Sequence, residues 1–406
     1  METIQERFIR YVKVHTTSAF GSDVVPSTNI QFDLAKMLEQ ELNALGVADV
    51  VLDEHCLLTA RIPSNIDKPT KAVGFFAHLD TSPDDSGENV NPRIWENYDG
   101  GDIVLNETIT ISPKVFPVLS QYVGDTIITA DGTTLLGADD KTAIAELMYV
   151  AEYLMTHEEV KHGDVWLCFA PDEEVGLGIG KLDISRIKAD FGYTLDGESA
   201  GEINDETFNA ASLKVKITGR QVHPSTAKGT MINALNLINE FDRALPRYER
   251  PEYTSDKEGF YHLTAIQGDV AYATANYIIR EHDTEIFQKR KAYVQKQAEA
   301  LQQQYPEAII EIELSDTYYN LGDTLKDNPE IIGFAKKAMH QAGIKDINMF
   351  AFRGGTDGSA ISRMGIPCPN IFAGWHNGHG KYEYTTTGVM QKAAEVVLNI
   401  IALVAK

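Results

Sequence analysis

The chemistry in this sequence is concentrated where short apolar runs give way to polar residues. His78 and Asp80 close the run at 71–80 (KAVGFFAHLD), and Asp139 and Asp140 end the stretch TLLGADD. Asp172, Glu173 and Glu174 follow VWLCFA and Pro171, Asp196 closes FGYTL, and far downstream the loop WHNGHG carries His376 and His379. These are the residue types that hold or serve zinc. In open α/β sheets ligands gather outside the carboxyl ends of the strands, which is where most of these side chains fall.

Each signal has a plain structural alternative. His78 and Asp80 stand two apart at a strand end, so period-two geometry puts them on one face. A metal-binding histidine donates its second ring N–H to an oxygen that fixes its tautomer, which suits Asp80; a local hydrogen bond without metal is the bland reading. An aspartate at a helix start is usually a cap, and that reading fits Asp139 and Asp140 equally. With metals present, the second of the pair, Asp140, would bridge two of them through its two oxygens. The acids Asp172, Glu173 and Glu174 form either a solvated turn or a buried cluster. If buried together they raise one another's pKa, a cost that a cation relieves. Adjacent acids can then divide the work, one holding metal and the other accepting a proton from water. The glycines after them (GLGIG) match neither the dinucleotide nor the P-loop spacing.

These residues need a scaffold that aligns strand ends. Runs at 71–80, 165–170 and 191–195 read as buried parallel strands, and 141–154 carries apolar residues at helical spacing between the first two. Such alternation predicts an α/β fold with a mostly parallel sheet covered by helices. From about residue 208 the pattern changes. A half-wet strand at 212–218 precedes a helix at 231–245, strands at 260–266 and 274–280, a long charged helix at 285–304 and a strand at 308–314. That β-α-β-β-α-β order is a small split βαβ sheet, an α+β unit with helices on one side. The α/β style returns with a helix at 329–342, a strand at 370–372 and a helix at 388–405. The expected organisation is a discontinuous catalytic domain, residues 1–207 and 318–406, with an inserted lid or small domain at 208–317.

Composition narrows the partners. The 406 residues carry a formal charge of −23, which repels phosphate backbones and anionic lipid. Neither nucleic acid nor a membrane is expected, and no run approaches the ~18 apolar residues of a membrane helix. The first residues lack a secretory pattern. Cys56, Cys168 and Cys368 stand singly, as reduced thiols do, so the cytoplasm is the expected compartment.

Taken in order, AHLD, GADDKTA, PDEEVGLG, LDGE and the late GHG resemble the di-zinc exopeptidase family that includes carboxypeptidase G and aminoacylase. The likeness covers nearly the whole chain, including GRQVHPSTAKGTMINA in the inserted, ferredoxin-like domain. FRGGTDG and NYIIREHD place it nearest the family's tripeptide aminopeptidases. The resemblance implies two zinc ions per subunit, or another divalent metal. His78 and Asp196 would hold one, Glu174 and His379 the other, and Asp140 would bridge them, with His376 as the rival of His379. Asp80 would orient His78, and Glu173 would be the general base for attack by a zinc-activated hydroxide. His223 would donate to the developing oxyanion, across a dimer interface if the chain is a homodimer; the alternative is a turn residue before Pro224. Arg280 and Arg353, with Asn276, would bind the carboxylate of a short peptide, unless the arginines pair with the chain's own acids. The implied activity is release of the N-terminal residue from tripeptides. Its alternatives are a carboxypeptidase, an N-acyl amino acid amidase, or a non-catalytic metal-binding scaffold.

Overall fold

The apolar run ending in His78 forms the strand Val73–His78, buried at every position. Val165–Ala170 is buried throughout as well. Strands covered on both faces read as unbroken apolar stretches, and both of these do. The computed structural model describes residues 1–406. Its largest sheet has eight strands in the order Ala48–Leu52, Leu58–Ile62, Val165–Ala170, Val73–His78, Phe191–Gly197, Asn370–Phe372, Glu202–Thr207 and Asn348–Phe352. The four central strands are parallel. Ala48–Leu52 and Leu58–Ile62 join one edge antiparallel, and Glu202–Thr207 pairs antiparallel with Asn370–Phe372. The sheet is therefore mixed, parallel where the chemistry sits and antiparallel toward its margins.

Register explains why the strand ends meet. His78 pairs with Ala170, which sets Pro171–Glu174 beside the end of the neighbouring strand. Phe76 pairs with Thr194, so Asp196 lies level with His78. The helix Ala138–Thr156 packs over Val73–His78 and against the C-terminal helix Thr387–Val404. Thr387–Val404 is long and apolar enough to cross a membrane, with mean hydropathy 1.4. Here Val389, Met390, Ala393, Val396, Val397 and Ile400 are buried within the chain's own core.

The chain divides into two units, one of Met1–Asp205, Thr324–Phe350 and Thr356–Lys406, the other of Glu206–Asp323 and Ala351–Gly355. The second contains a four-stranded antiparallel sheet in the order Phe260–Gly268, Tyr272–Glu281, Asn209–Thr218, Ile309–Tyr318. Along Asn209–Thr218, Leu213, Val215 and Ile217 are buried while Lys214 is exposed and Lys216 half-buried, as alternation demands. Two helices cover the apolar face, Ala234–Ala244 through Leu237, Ile238 and Phe241, and Thr284–Gln304 through Phe287, Val294 and Leu301. Both start on side-chain caps, Asn233 accepting from the Asn236 N–H and Asp283 from the Ile286 N–H.

Candidate metal centre

Two histidines from distant parts of the first unit converge on one aspartate, and it is Asp139. The Nε2 of His78 lies 3.0 Å from Asp139 Oδ1, and the Nε2 of His379 lies 3.3 Å from Asp139 Oδ2. The other nitrogen of each ring faces its own acid. His78 Nδ1 is 3.0 Å from the Asp80 carbonyl and 3.3 Å from Asp80 Oδ1. His379 Nδ1 is 3.3 Å from Asp84 Oδ2. Each ring thus has one nitrogen held by an acid and the other aimed at a shared carboxylate, the arrangement that orients metal-binding imidazoles. Glu174 Oε2 sits 2.9 Å from His379 Nε2, and Asp196 Oδ1 sits 3.9 Å from His78 Nε2.

Asp140, expected as the bridge, does not stand between the two histidines; its neighbour Asp139 does. Asp140 Oδ2 accepts the backbone N–H of His78 at 3.1 Å, so one oxygen is tied to the strand end. Only Asp139 has an oxygen toward each histidine. Neither aspartate is a helix cap. Gly137 occupies that position without a side-chain bond, and the dihedrals of Asp139 and Asp140 are non-helical.

The three acids of the 172–174 turn separate. Asp172 turns away, accepting from the Ser27 N–H at 2.6 Å, Ser27 Oγ at 2.5 Å and Gln31 Nε2 at 2.6 Å. Asp80 accepts the backbone N–H groups of Glu173 and Glu174 at 3.0 and 3.3 Å, so it fixes this turn as well as His78. Candidate ligand atoms of His78, Glu173 and Asp196 lie within 4.8 Å of one another, as do those of His78, Asp139 and Glu174, and of Asp139, Asp140 and Asp196.

The electrostatics describe a site built around positive charge. Burial pushes Glu173 up to about 7 and Glu174 up to about 8, with neighbouring aspartates adding to the rise. Burial also holds Asp140 and Asp196 well above the usual carboxylate range. Burial would raise Asp139 too, but hydrogen bonds from His379 and His78 outweigh it and bring it to about 2. Hydrogen bonds to Asp139 and Glu174 lift His379 to about 11. Asp140 Oδ1 and Glu174 Oε1 are buried without a hydrogen-bond partner. Buried acceptors of that kind are costly unless something supplies charge, and divalent cations do so. With two imidazoles among the donors, the set fits two zinc-like ions better than calcium, which takes oxygen ligands.

Three residues absent from the sequence reading complete the centre. Glu383, 1% exposed, accepts from the N–H groups of Leu136 and Gly137 at 2.7 Å each and of Asp139 at 2.9 Å. Asp357, half-buried and held well above the carboxylate range by desolvation and then by Glu173, lines a small cavity with His78, Asp140, Glu173 and Asp196. Asp84 is the third. Asp84 left a trace in the sequence as an acid shortly after HLD, and Asp357 is the acid of the FRGGTDG motif. His376, the rival histidine, is committed elsewhere, with its Nε2 2.7 Å from the Tyr122 hydroxyl.

The remaining expected site residues belong to the second unit. Exposed His223 caps the short turn Pro224–Thr226, its Nδ1 accepting from Ser225, which matches the turn alternative. Asn276 is exposed on Tyr272–Glu281, on the same side of that strand as Arg280. Arg280 gives Nη1 to the Arg353 carbonyl at 2.8 Å, while its buried Nε has no partner. Arg353 is spent on structure. Its Nη1 donates to the carbonyls of Asp256 and Glu258, its Nη2 to Thr254 Oγ1, and its guanidinium lies 5.2 Å from the centre of the Phe208 ring. Neither a free carboxylate clamp nor the expected ion pair describes Arg353, because backbone carbonyls take those donors.

Known proteins share this arrangement of elements. A peptidase dimerisation domain model matches residues 205–309. A crystal structure of aminopeptidase PepT from Bacillus cereus ATCC 10987 superposes with a TM-score of 0.78 at 22% identity, covering 99% of this chain and 98% of that one. The Bacillus subtilis YXEP protein, described as a dinuclear metal binding peptidase of the M20 family, superposes with a TM-score of 0.66 at 12% identity over 99% and 98% of the two chains. Among curated proteins, peptidase T of Caldanaerobacter subterraneus subsp. tengcongensis is 47% identical over the full length of both chains. Peptidase T of Geobacillus thermodenitrificans is 51% identical over 98% of this chain and 97% of its own. At that identity over that length, the chain belongs to the peptidase T family.

Proposed function

We propose that the protein is a two-metal aminopeptidase that releases the N-terminal residue of tripeptides. The observation that carries the reading is Asp139 standing between His78 and His379 with one oxygen toward each. In this assignment His78 and Asp196 would hold one ion and Glu174 and His379 the other, with Asp139, rather than Asp140, as the carboxylate shared between them. Zinc is the proposed metal. When bound, such ions would supply Lewis acidity to the scissile carbonyl and to an attacking water.

The chain's own groups do the rest. Glu173, held above the usual carboxylate range by burial in the metal-free chain, is placed to take the water's proton and return it to the leaving amine. Asp80 keeps His78 in register and pins the turn that carries Glu173 and Glu174. His223 is proposed as the donor to the oxyanion, since Nδ1 serves the turn and Nε2 is left for substrate. Arg280, with an unpartnered Nε, is the proposed contact for the peptide carboxylate, with Asn276 beside it. Residues 208–317 form the inserted domain of this proposal. The match to a peptidase dimerisation model supports a homodimer, and three buried, unpaired cysteines support a reducing, cytoplasmic setting.

The test is turnover of a tripeptide with free ends against its N-blocked and C-blocked forms, before and after chelation. The proposal expects cleavage of the free peptide, none of the N-blocked one, and loss of activity on chelation restored by zinc. Faster hydrolysis of the N-blocked peptide would instead favour the carboxypeptidase or amidase alternatives. Undiminished activity after complete metal removal would end the two-metal reading.

A further inference from the structure

We propose that Glu383 is a positioning residue for the metal bridge, fixing Asp139 through its backbone. The inference rests on the two-metal reading above. Glu383 Oε2 accepts from Leu136 and Gly137 N–H at 2.7 Å each, and Oε1 accepts from Asp139 N–H at 2.9 Å. Gly137 adopts a positive φ of 78°, a conformation that leaves successive N–H groups pointing inward, where a carboxylate can gather them. Buried to 1% exposure, Glu383 has no solvent to share these donors with. It also lies four residues beyond His379, whose Nε2 faces Asp139 Oδ2 at 3.3 Å. One short segment therefore grips Asp139 twice, at its backbone and at its side chain. The first grip sets where the Asp139 carboxylate stands between the histidines. The second supplies a ligand beside it.

A neutral amide cannot reproduce this pattern. In Glu383→Gln the side chain keeps one acceptor, and its NH2 must face either the Asp139 N–H or the pair from Leu136 and Gly137. Whichever way it turns, a donor meets a donor. Outer-shell partners of metal sites typically change metal affinity or activity by about 10–100-fold when altered.

The experiment uses the full chain and Glu383→Gln, with Zn2+ affinity read by competition against a fluorescent chelator. Steady-state turnover of a tripeptide and thermal unfolding of the metal-free proteins accompany it. The expected result is a loss of about 10–100-fold in Zn2+ affinity, with kcat reduced and KM close to the parent's. Parental affinity and kcat, whether or not the variant melts earlier, would reduce Glu383 to a fold-stabilising residue and overturn the proposal. Should Glu383→Gln not fold, Glu383→Asp keeps the charge but withdraws it by one methylene. Weakened Zn2+ affinity in that variant supports the proposal, and parental affinity overturns it. A parent chain that binds no Zn2+ would sink the metal reading beneath it, which is a different result from a parent and variant that bind alike.

Discussion

Removing metal should make the stability of this protein fall with rising pH in a way the loaded protein does not share. Glu173 and Glu174 move from a reference of 4.5 to about 7 and about 8 when folded. The metal-free folded chain therefore holds protons that the unfolded chain has already released. Stability from these protons is complete below about pH 4.5 and is lost as pH climbs through 7 and 8. At 1.36 kcal/mol per unit, the two shifts correspond to about 3 and about 5 kcal/mol. Because the two carboxyls interact, their combined effect is best taken as on the order of 5 kcal/mol. His379, raised to about 11, acts in the same direction above its ordinary value, whereas Asp139, lowered to about 2, is constant throughout this range. For the roughly 280 residues of the first unit, about 2.1 cal/mol/K per residue makes 5 kcal/mol equivalent to roughly 8 °C in Tm. Scanning calorimetry of chelated protein from pH 5 to 9, beside the same series with saturating Zn2+, measures it. A metal-free Tm that stays level, or a loaded Tm that falls as steeply, would refute the reasoning.

Further outcomes follow from the same geometry. Asp139→Asn, which leaves one oxygen for two histidine-side ligand positions, should cost more than 100-fold in metal affinity or kcat, beyond the range of outer-shell changes. Asp140→Asn, whose remaining oxygen still meets the His78 N–H, should cost roughly tenfold; equal losses by isothermal titration would return the bridge to Asp140. Glu173→Ala should abolish turnover while retaining close to the parent's metal content by mass spectrometry, and loss of metal with activity would make Glu173 a ligand instead. Arg280→Ala should raise KM for tripeptides with little change in Tm. Arg353→Ala should chiefly lower Tm, since its guanidinium ties together the carbonyls of Asp256 and Glu258, and a raised KM with unaltered Tm would reverse the two roles.

The strands that carry the chemistry were legible because burial on both faces writes itself as unbroken apolar sequence. Val165–Ala170 and Asn370–Phe372 have the bounds their composition predicts. The gathering of His78, Glu174 and Asp196 at one sheet edge was equally legible, since parallel register brings strand ends level. The choice between Asp139 and Asp140 was not. Adjacent aspartates are equivalent in sequence until the chain's path decides which one faces the histidines, and in that path the Asp139 N–H meets a glutamate 244 positions away. Asp172 escaped for a related reason, its partners Ser27 and Gln31 lying near the other end of the chain. The carbonyl partners of Arg353 were not legible, because an arginine in a motif looks the same whether its donors meet a ligand or the chain's own backbone.

The grip of Glu383 on the turn at Asp139 also bears on how the protein is made. A growing chain exposes Asp139 long before residues 379–383 leave the ribosome, so the cage for metal cannot close during most of synthesis. On the two-metal proposal, cation capture would consequently be a late event. A chain halted short of this segment would have every strand of the large sheet but neither His379 nor the Glu383 acceptor for the Asp139 N–H.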